Sequence, residues 1–277
     1  MKACVFAATL LLSGVALAGQ TDAIHTCYDK TIQSDGGAID TELFVAIDQT
    51  TLLDPHLKQL VADNIKPFLL PNMGFAILTF SAYPQGHYTE VLTSAKLDAP
   101  LDQAKRNDIP KLALAKFDQC ITRQPQQAAQ LVGNALRTAY DGTTSEIAKS
   151  DVLASIKSIS SLVLNSKAHN KIVLIVSDML ENSSISSFYA DAGLSVRKIE
   201  PVKEMKLVEE NQLLGDFGGA RLYVIGAGIL PEDVKRAKSY RDPKTMQALT
   251  VFWKAYIEKS KAQLVEFGQP SLLNPIH

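Results

Sequence analysis

Two aspartates follow apolar stretches whose composition is typical of buried strands. Asp48 comes directly after residues 43–47, which read LFVAI, and Asp178 closes residues 171–178, which read KIVLIVSD. Short, continuously apolar runs predict strands that are buried on both faces of a parallel sheet. Both aspartates then lie at the carboxyl edge of that sheet, where open α/β proteins bind their ligands. Three hydroxyl side chains are close to them in the sequence: Thr50, Thr51 and Ser177.

The sequence is compatible with two roles for these acids. Two carboxylates with neighbouring hydroxyls form an oxygen-rich group, and hard cations such as Mg²⁺ prefer oxygen ligands. Alternatively, each aspartate caps the helix or turn that follows it, because Asp is a favoured residue just before a helix. The spacing alone favours neither role.

The segments that must position the two acids alternate between strand-like and helix-like patterns. Strands are predicted at residues 43–47, 75–80, 88–96, 171–176 and 221–225. Helices are predicted to begin at Pro55 and Pro243, each after an Asp, and to cover residues 127–140 and 151–164. Residues 97–123 are polar and predict irregular structure.

Strands separated by helices indicate an α/β fold, doubly wound, with a mainly parallel sheet and helices on both faces. Such a fold has the three layers of a Rossmann-type architecture. We find no repeat and no linker, so we expect a single domain with its core at about residues 42–267.

The first 18 residues have the pattern of a signal peptide. A basic start at Lys2 is followed by an apolar stretch over residues 3–15 and by the small-x-small triplet of residues 16–18. The stretch is short for a membrane span and no basic flank follows it, although an uncleaved anchor is the alternative. We therefore expect an exported mature chain of residues 19–277, without a membrane span, in the periplasm or outside the cell.

Export changes how the cysteines are interpreted. Cys4 leaves with the signal peptide, so Cys27 and Cys120 form an even pair in an oxidising compartment. A disulfide between them would close a loop of about ninety residues and stabilise the fold by about 4 kcal/mol on the chain-entropy model. Two buried free thiols are the alternative.

The composition excludes several classes of protein. The 277 residues are 46% hydrophobic and 21% charged, with a formal net charge of -1, which rules out disordered, collagen-like and coiled-coil chains. The near-neutral charge argues against a nucleic-acid partner, because nucleic-acid-binding domains are normally basic. Gly226 and Gly228 follow a predicted strand, but Pro231 stands at the third glycine position of a dinucleotide-binding loop, so no nicotinamide cofactor is expected.

The two acidic segments, and the order of the elements between them, resemble the von Willebrand factor type A (vWA) domain. The resemblance rests on residues 44–51 (FVAIDQTT) and 171–178 (KIVLIVSD), and it is to exported bacterial members of the family. It implies a metal-ion-dependent adhesion site, written Asp-x-Ser-x-Ser, which is completed by a Thr from a second loop and an Asp from a third.

Matched residue by residue, this motif implies metal ligands in three loops. Asp48 matches the first Asp, Thr50 the first hydroxyl and Asp178 the third-loop Asp. The second hydroxyl position falls on Leu52, which cannot coordinate a metal and which we expect to point into the core. The second-loop hydroxyl has three candidates, of which we adopt the first: Thr144, Thr143 and Ser150.

The resemblance implies Mg²⁺ or Mn²⁺ as the ion of this incomplete site. Because Mg²⁺ commonly keeps several waters, water can take the place of the missing hydroxyl. Alternatively, the site has lost its ion and retains only structural hydrogen bonds.

Two functions from different classes follow. The first is a non-catalytic protein-interaction module that presents its metal edge to a protein partner. The alternative is a metal-dependent hydrolase that uses Asp48 and Asp178 as ligands and a bound water as nucleophile. Hydrolysis requires a general base within hydrogen-bond reach of that water, and Glu181 is the candidate nearest in the sequence. Neither acidic loop contains a His, so the interaction module, which is not an enzyme, is preferred.

Overall fold

The computed structural model describes residues 19–34, 37–81, 89–143, 150–190, 195–230 and 242–277. In chain order its strands are β1 (Thr41–Asp48), β2 (Met73–Phe80), β3 (Thr89–Lys96), β4 (Asn170–Val176), β5 (Tyr189–Ala190), β6 (Ser195–Val196), β7 (Arg221–Ile225) and β8 (Gln263–Phe267). Its helices are α1 (Pro55–Ile65), α2 (Gln103–Arg106), α3 (Lys111–Asp141), α4 (Val152–Asn165), α5 (Pro201–Glu210) and α6 (Pro243–Lys259), and a 3₁₀ turn (Lys66–Phe68) follows α1.

Six of these strands form one sheet in the order β3-β2-β1-β4-β7-β8, and β5 pairs with β6 in a separate hairpin. Neighbouring strands of the sheet are parallel, except that β3 is antiparallel to β2. From β1 the chain builds outward to β2 and β3, and then continues at β4 on the other side of β1. The strand order therefore reverses between β1 and β4. The predicted α/β fold with a mainly parallel sheet is confirmed.

Helices cover both faces of the sheet. Because alternate residues of a strand point to opposite faces, each central strand contributes side chains to both cores. From β1, Phe44 and Ala46 join a core that includes side chains of α4, α5 and α6. Leu43, Val45 and Ile47 join a second core that includes side chains of α1 and α3. This double burial explains why β1 is apolar at every position from 43 to 47.

The helix starts that the sequence predicts at Asp-Pro pairs are confirmed. Oδ1 of Asp54 accepts the backbone N–H of Leu57 at 2.8 Å at the start of α1. Oδ2 of Asp242 accepts the backbone N–H of Thr245 at 2.9 Å at the start of α6. In both helices the proline occupies the first turn, where its missing N–H costs no hydrogen bond.

The prediction of irregular structure at residues 97–123 was wrong. This segment contains α2 and the first part of α3, which runs for 31 residues and includes Pro125. A proline normally ends or kinks a helix, so the sequence indicated a helix that begins only after it. The apolar signal is also weak, because the buried side chains of α3 before Pro125 are Phe117 and Gln124, and only one of them is apolar.

Two further elements were not predicted. The connection between β4 and β7 contains α5, which begins at Pro201 after Glu200 rather than after one of the usual capping residues. The edge strand β8 reads QLVEF, and its half-buried residues lack the continuous apolar run that marks the central strands.

The predicted disulfide is present. Cys27 is bonded to Cys120, with their Cα atoms 5.7 Å apart. The bond ties the segment before β1 to helix α3, and not to an irregular region as expected. Near the start of this segment, the N–H of Gln20 donates to the carbonyl of Leu92 at 3.1 Å, and the N–H of Ser94 donates to the carbonyl of Gln20 at 2.9 Å. The segment therefore pairs with the outer side of β3.

The predicted signal peptide, residues 1–18, lies outside the described residues. Within the described ranges, no helix combines the length and the apolar character that crossing a bilayer requires.

Candidate functional site

The two predicted acids lie at the same edge of the sheet. Asp48 is the last residue of β1, and Asp178 follows β4 by two residues. Because Ile47 pairs with Val176 in the parallel ladder between β1 and β4, both acidic loops leave the sheet side by side. This is the point at which the strand order reverses, and open α/β sheets bind ligands at such points. Both side chains are buried, with exposed fractions of 0% for Asp48 and 3% for Asp178.

Asp48 organises the loop between β1 and α1. Its Oδ1 accepts two hydrogen bonds from Thr50, at 2.8 Å from the backbone N–H and at 2.6 Å from the hydroxyl. Its Oδ2 accepts the hydroxyl of Ser177 at 2.8 Å, which joins this loop to the loop after β4. Asp48 therefore contacts two of the three hydroxyl side chains that are close to the acids in the sequence, Thr50 and Ser177.

Asp178 is held by four hydrogen bonds. Its Oδ1 accepts the backbone N–H of Leu180 at 2.8 Å, and its Oδ2 accepts the phenol hydroxyl of Tyr189 at 2.7 Å. Its own N–H donates to Oγ1 of Thr51 at 3.0 Å, and its carbonyl accepts the N–H of Gly228 at 2.8 Å. The loops after β1, β4 and β7 consequently meet at this residue.

The backbone after β4 turns sharply to present Asp178. Met179 has a φ of 59°, and its N–H donates to Oγ of Ser177 at 2.9 Å. The indole N–H of Trp253, on α6, donates to the carbonyl of Met179 at 2.8 Å. Gly226 has a φ of 104°, and a Cβ there would lie 3.0 Å from the carbonyl oxygen of Ser177, so a side chain at this position would strain the loop.

Burial dominates the electrostatics of the acid pair. Burial raises the pKa of Asp48, although hydrogen bonds from Thr50 and Ser177 oppose the effect. Burial, and then the charge of Asp48, raise the pKa of Asp178 to about 8. Among the described residues, no Lys or Arg forms an ion pair with either carboxylate. Two buried carboxylates without a counter-charge are unfavourable, so the site favours binding a proton or a cation.

The donor atoms at this edge fit a hard cation. Oδ1 of Asp48 already accepts two hydrogen bonds, whereas each oxygen of Asp178 accepts one and retains a lone pair. The hydroxyl of Thr50 donates its proton to Asp48, which leaves its own lone pairs for a ligand. No group of three or more His, Cys, Asp or Glu side chains that could hold a metal occurs in the described ranges, so hydroxyls and water would complete any coordination shell.

The three candidates for the second-loop hydroxyl differ in their surroundings. Thr144 lies outside the described residues. The hydroxyl of Thr143 donates to the carbonyl of Ala139 at 3.0 Å, within the last turn of α3. The hydroxyl of Ser150 is buried and has no hydrogen-bond partner, while its backbone pairs with Asn182 in the loop after β4. An unsatisfied buried hydroxyl makes Ser150 the stronger candidate of the two that the structure describes.

The expectation for Leu52 was wrong. Leu52 is half-buried and takes no part in either core, whereas Leu53 is 7% exposed and packs into the core beneath α1. The loop has no regular period between Asp48 and the start of α1, so the sequence did not distinguish these two leucines. Leu52 therefore lies nearer the surface of the candidate site than expected.

Glu181, the residue suggested as a general base, caps the start of α4. Its side chain is 1% exposed and accepts the backbone N–H of Leu153 at 2.9 Å, at the start of α4. The residue before that helix, Asp151, makes no capping bond with its own side chain, so Glu181 replaces it from a distant loop. Burial raises the pKa of Glu181 to about 7, although the hydrogen bonds that its carboxylate accepts oppose the effect.

Two contributors to the site were missed by the sequence analysis. Tyr189 lies in the connection after β4, which shows no recognisable period. Trp253 lies in the helix predicted to begin at Pro243, and no pattern indicated its contact with the loop after β4. The backbone N–H groups of the turn at residues 226–228 are all used within the protein. They donate to the carbonyls of Pro270, Gly268 and Asp178. These amides hold the loops together at this edge.

The chain matches no protein-family model, and no curated protein has a significant sequence match to it.

Proposed function

We propose that this protein is an exported, non-catalytic protein-interaction module of the vWA type, and that its binding edge is the carboxyl edge of the sheet around Asp48 and Asp178. One observation carries the proposal. Two buried carboxylates lie at the carboxyl ends of adjacent parallel strands where the strand order reverses, joined through Ser177 and Thr51 and without a cationic partner among the described residues.

The surroundings of the pair support binding over catalysis. Glu181, the residue considered as a general base, is bound to the start of α4. The disulfide between Cys27 and Cys120 supports export, because such bonds persist mainly in oxidising compartments. The composition of residues 1–18 supports the same location.

The ion in this proposal is Mg²⁺ or Mn²⁺. Asp48, Thr50 and Asp178 would hold it, with Ser150 or Thr144 as the hydroxyl of the second loop and with water at the position of Leu52. When bound, the ion supplies positive charge for an acidic group of the partner protein. The chain itself orients the ligands: Thr50 and Ser177 fix the Asp48 carboxylate, and the N–H of Leu180 fixes that of Asp178.

The test is a titration of Mn²⁺ into the purified protein, followed by calorimetry and by the fluorescence of Trp253. This residue is the single tryptophan of the chain, and it is hydrogen-bonded to the loop that carries Asp178. We expect saturable binding to the wild type and none to Asp48→Asn or Asp178→Asn. Asp63→Asn, which changes an exposed acid of α1, is the matched control and should bind as the wild type does.

Thermal unfolding of each variant separates lost binding from lost folding. The proposal is contradicted if the folded wild type takes up no Mn²⁺, or if Asp63→Asn reduces binding as much as Asp48→Asn does.

A further inference from the structure

The acid pair is closed to solvent in this structure, although an interaction site must reach its ligand. Asp48 is fully buried and Asp178 nearly so, and both are hydrogen-bonded to protein groups. A cation can reach them only if one of these contacts opens. The contacts from Thr50, Ser177 and Leu180 come from the acidic loops themselves, whereas Tyr189 reaches Asp178 from a different element.

Tyr189 is suited to be the contact that opens. It lies in β5, eleven residues after Asp178, and its side chain is half-buried, so it extends from solvent to the carboxylate. Its hydroxyl donates to Oδ2 of Asp178, so it occupies one of the two lone pairs of that oxygen and covers the side of the carboxylate that faces the hairpin. Turning this one side chain away would expose the oxygen without disturbing the sheet.

The hairpin that carries Tyr189 is clamped at its base. The N–H of Arg197 donates to the carbonyl of Phe188 at 2.8 Å, and the guanidinium lies over the Phe188 ring, 5.4 Å from its centroid. Phe188 is fully buried and packs against Phe252 of α6. The base of the hairpin is therefore fixed to the core, while Tyr189 itself is half-buried and packs against that core.

Arg197 also joins the hairpin to α5. Its guanidinium pairs with Oε1 of Glu204 at 2.7 Å, and Glu204 is largely buried at this contact. The hydroxyl of Ser186 donates to the other oxygen of Glu204 at 2.7 Å and lies 3.1 Å from the guanidinium. A charge-assisted cluster of this kind holds its partners more firmly than neutral hydrogen bonds do. The cluster therefore stabilises the hairpin in the position that places Tyr189 on Asp178.

We infer that Tyr189 is a latch on the acid pair: its hydroxyl holds Asp178 closed, and the Arg197–Glu204 ion pair holds the hairpin that carries it. In the latched state the pair cannot bind a cation, and release of Tyr189 makes Asp178 available. The cation as ligand rests on the proposed function, whereas the latch itself rests on the hydrogen bond and the ion pair.

The experiment compares the full wild-type protein with Tyr189→Phe, Glu204→Gln and Glu209→Gln. Tyr189→Phe removes the hydroxyl and keeps the ring, and Glu204→Gln weakens the clamp. Glu209→Gln is the matched control, because Glu209 also lies on α5 but pairs with Lys259 of α6, away from the hairpin. Mn²⁺ affinity is measured by calorimetry, and amide hydrogen exchange of Leu180 and Met179 is measured without metal.

A ligand that binds only the open form has an apparent affinity that is reduced to the fraction of protein that is open. Release of the latch raises that fraction and should tighten Mn²⁺ binding by about tenfold. We expect this gain for Tyr189→Phe and Glu204→Gln, with faster exchange of the Leu180 amide, and no change for Glu209→Gln. Unchanged or weaker Mn²⁺ binding by Tyr189→Phe, beside a wild type that binds, overturns the latch and leaves the proposed function intact. If neither the wild type nor any variant binds Mn²⁺, the proposed function fails, and hydrogen exchange alone tests the latch. Faster exchange of the Leu180 amide in Tyr189→Phe and Glu204→Gln then supports the latch, and unchanged exchange overturns it.

Discussion

The hydroxyl oxygen of Thr51 accepts the backbone N–H of Asp178 at 3.0 Å, which joins the loop after β1 directly to the loop after β4. The two residues are 127 positions apart in the chain, and both are buried. The relative position of the two carboxylates therefore depends on a hydrogen bond between their loops as well as on the sheet beneath them.

Replacement of Thr51 by Val should separate these loops. Valine has nearly the same shape but no acceptor, so the buried N–H of Asp178 would lose its partner, and we expect a loss of about 2 kcal/mol in the free energy of unfolding. Urea denaturation followed by Trp253 fluorescence measures this loss. Thr122→Val is the control, because the Thr122 hydroxyl is exposed on α3 and bonds only within its helix; a change there of about 0.5 kcal/mol or less is expected. Equal losses in the two variants would contradict a special role for Thr51.

The pKa values of the buried acids predict that the protein is most stable at mildly acidic pH. The pKa of Asp178 rises from 3.8 to about 8, and that of Glu181 from 4.5 to about 7. The folded state therefore binds protons more tightly than the unfolded state does, and the stabilisation is complete below the unfolded values. It is lost as the pH rises from about 4 to about 8, by up to about 1.4 kcal/mol per pH unit for each group.

Chelator-treated protein should accordingly unfold at a lower temperature at pH 8 than at pH 5. Glu181→Gln should flatten the part of this dependence that lies between pH 4.5 and 7, because its neutral side chain does not titrate. A melting temperature that rises steadily from pH 5 to pH 8 would contradict the assignment of both groups.

The disulfide should contribute a large share of the stability. It closes a loop of 93 residues, for which the chain-entropy model gives about 4 to 5 kcal/mol. Cys27→Ser combined with Cys120→Ser should lower the urea midpoint accordingly, and hydrogen exchange of Ser94, which pairs with the segment before β1, should become faster. An unchanged urea midpoint would show that the other contacts of the segment before β1 are enough to hold it in place.

The elements that the sequence predicted well are those with strong local signals. Asp48 and Asp178 were placed at one edge because the strands that precede them, at residues 43–47 and 172–176, are apolar at every position, as is typical of strands buried on both faces. Asp242 and Asp54 were identified as caps because a proline follows each of them. Cys27 and Cys120 were paired because export left no other partner.

The features that were missed depend on contacts between distant segments. Glu181 caps α4 from 28 residues away, and no local pattern marks such a cap. Tyr189 reaches Asp178 from the connection after β4, whose apolar residues follow neither a strand nor a helix pattern. The first half of α3 was missed because Pro125 suggested that the helix begins after it, and because Phe117 packs against Tyr28 of the segment before β1 rather than in a regular apolar stripe.

The two leucines of the β1–α1 loop offer the sharpest test of the metal hypothesis. Leu52 occupies the position at which the vWA motif has its second hydroxyl, and it is half-buried outside both cores, whereas Leu53 is packed beneath α1. Leu52→Ser should therefore lower the free energy of unfolding by about 1 kcal/mol or less, while Leu53→Ser should lower it by about 3 kcal/mol or more.

The two substitutions should also differ in their effect on ion binding. Leu52→Ser adds an oxygen ligand where the motif requires one, and we expect Mn²⁺ to bind about tenfold more tightly, a gain of about 1.4 kcal/mol. Leu53→Ser adds a hydroxyl one position away, inside the core, and should not improve binding. Calorimetry on both folded variants decides the matter. If Leu52→Ser binds Mn²⁺ no better than the wild type does, position 52 does not face the ion, and the correspondence between this loop and the adhesion motif is wrong.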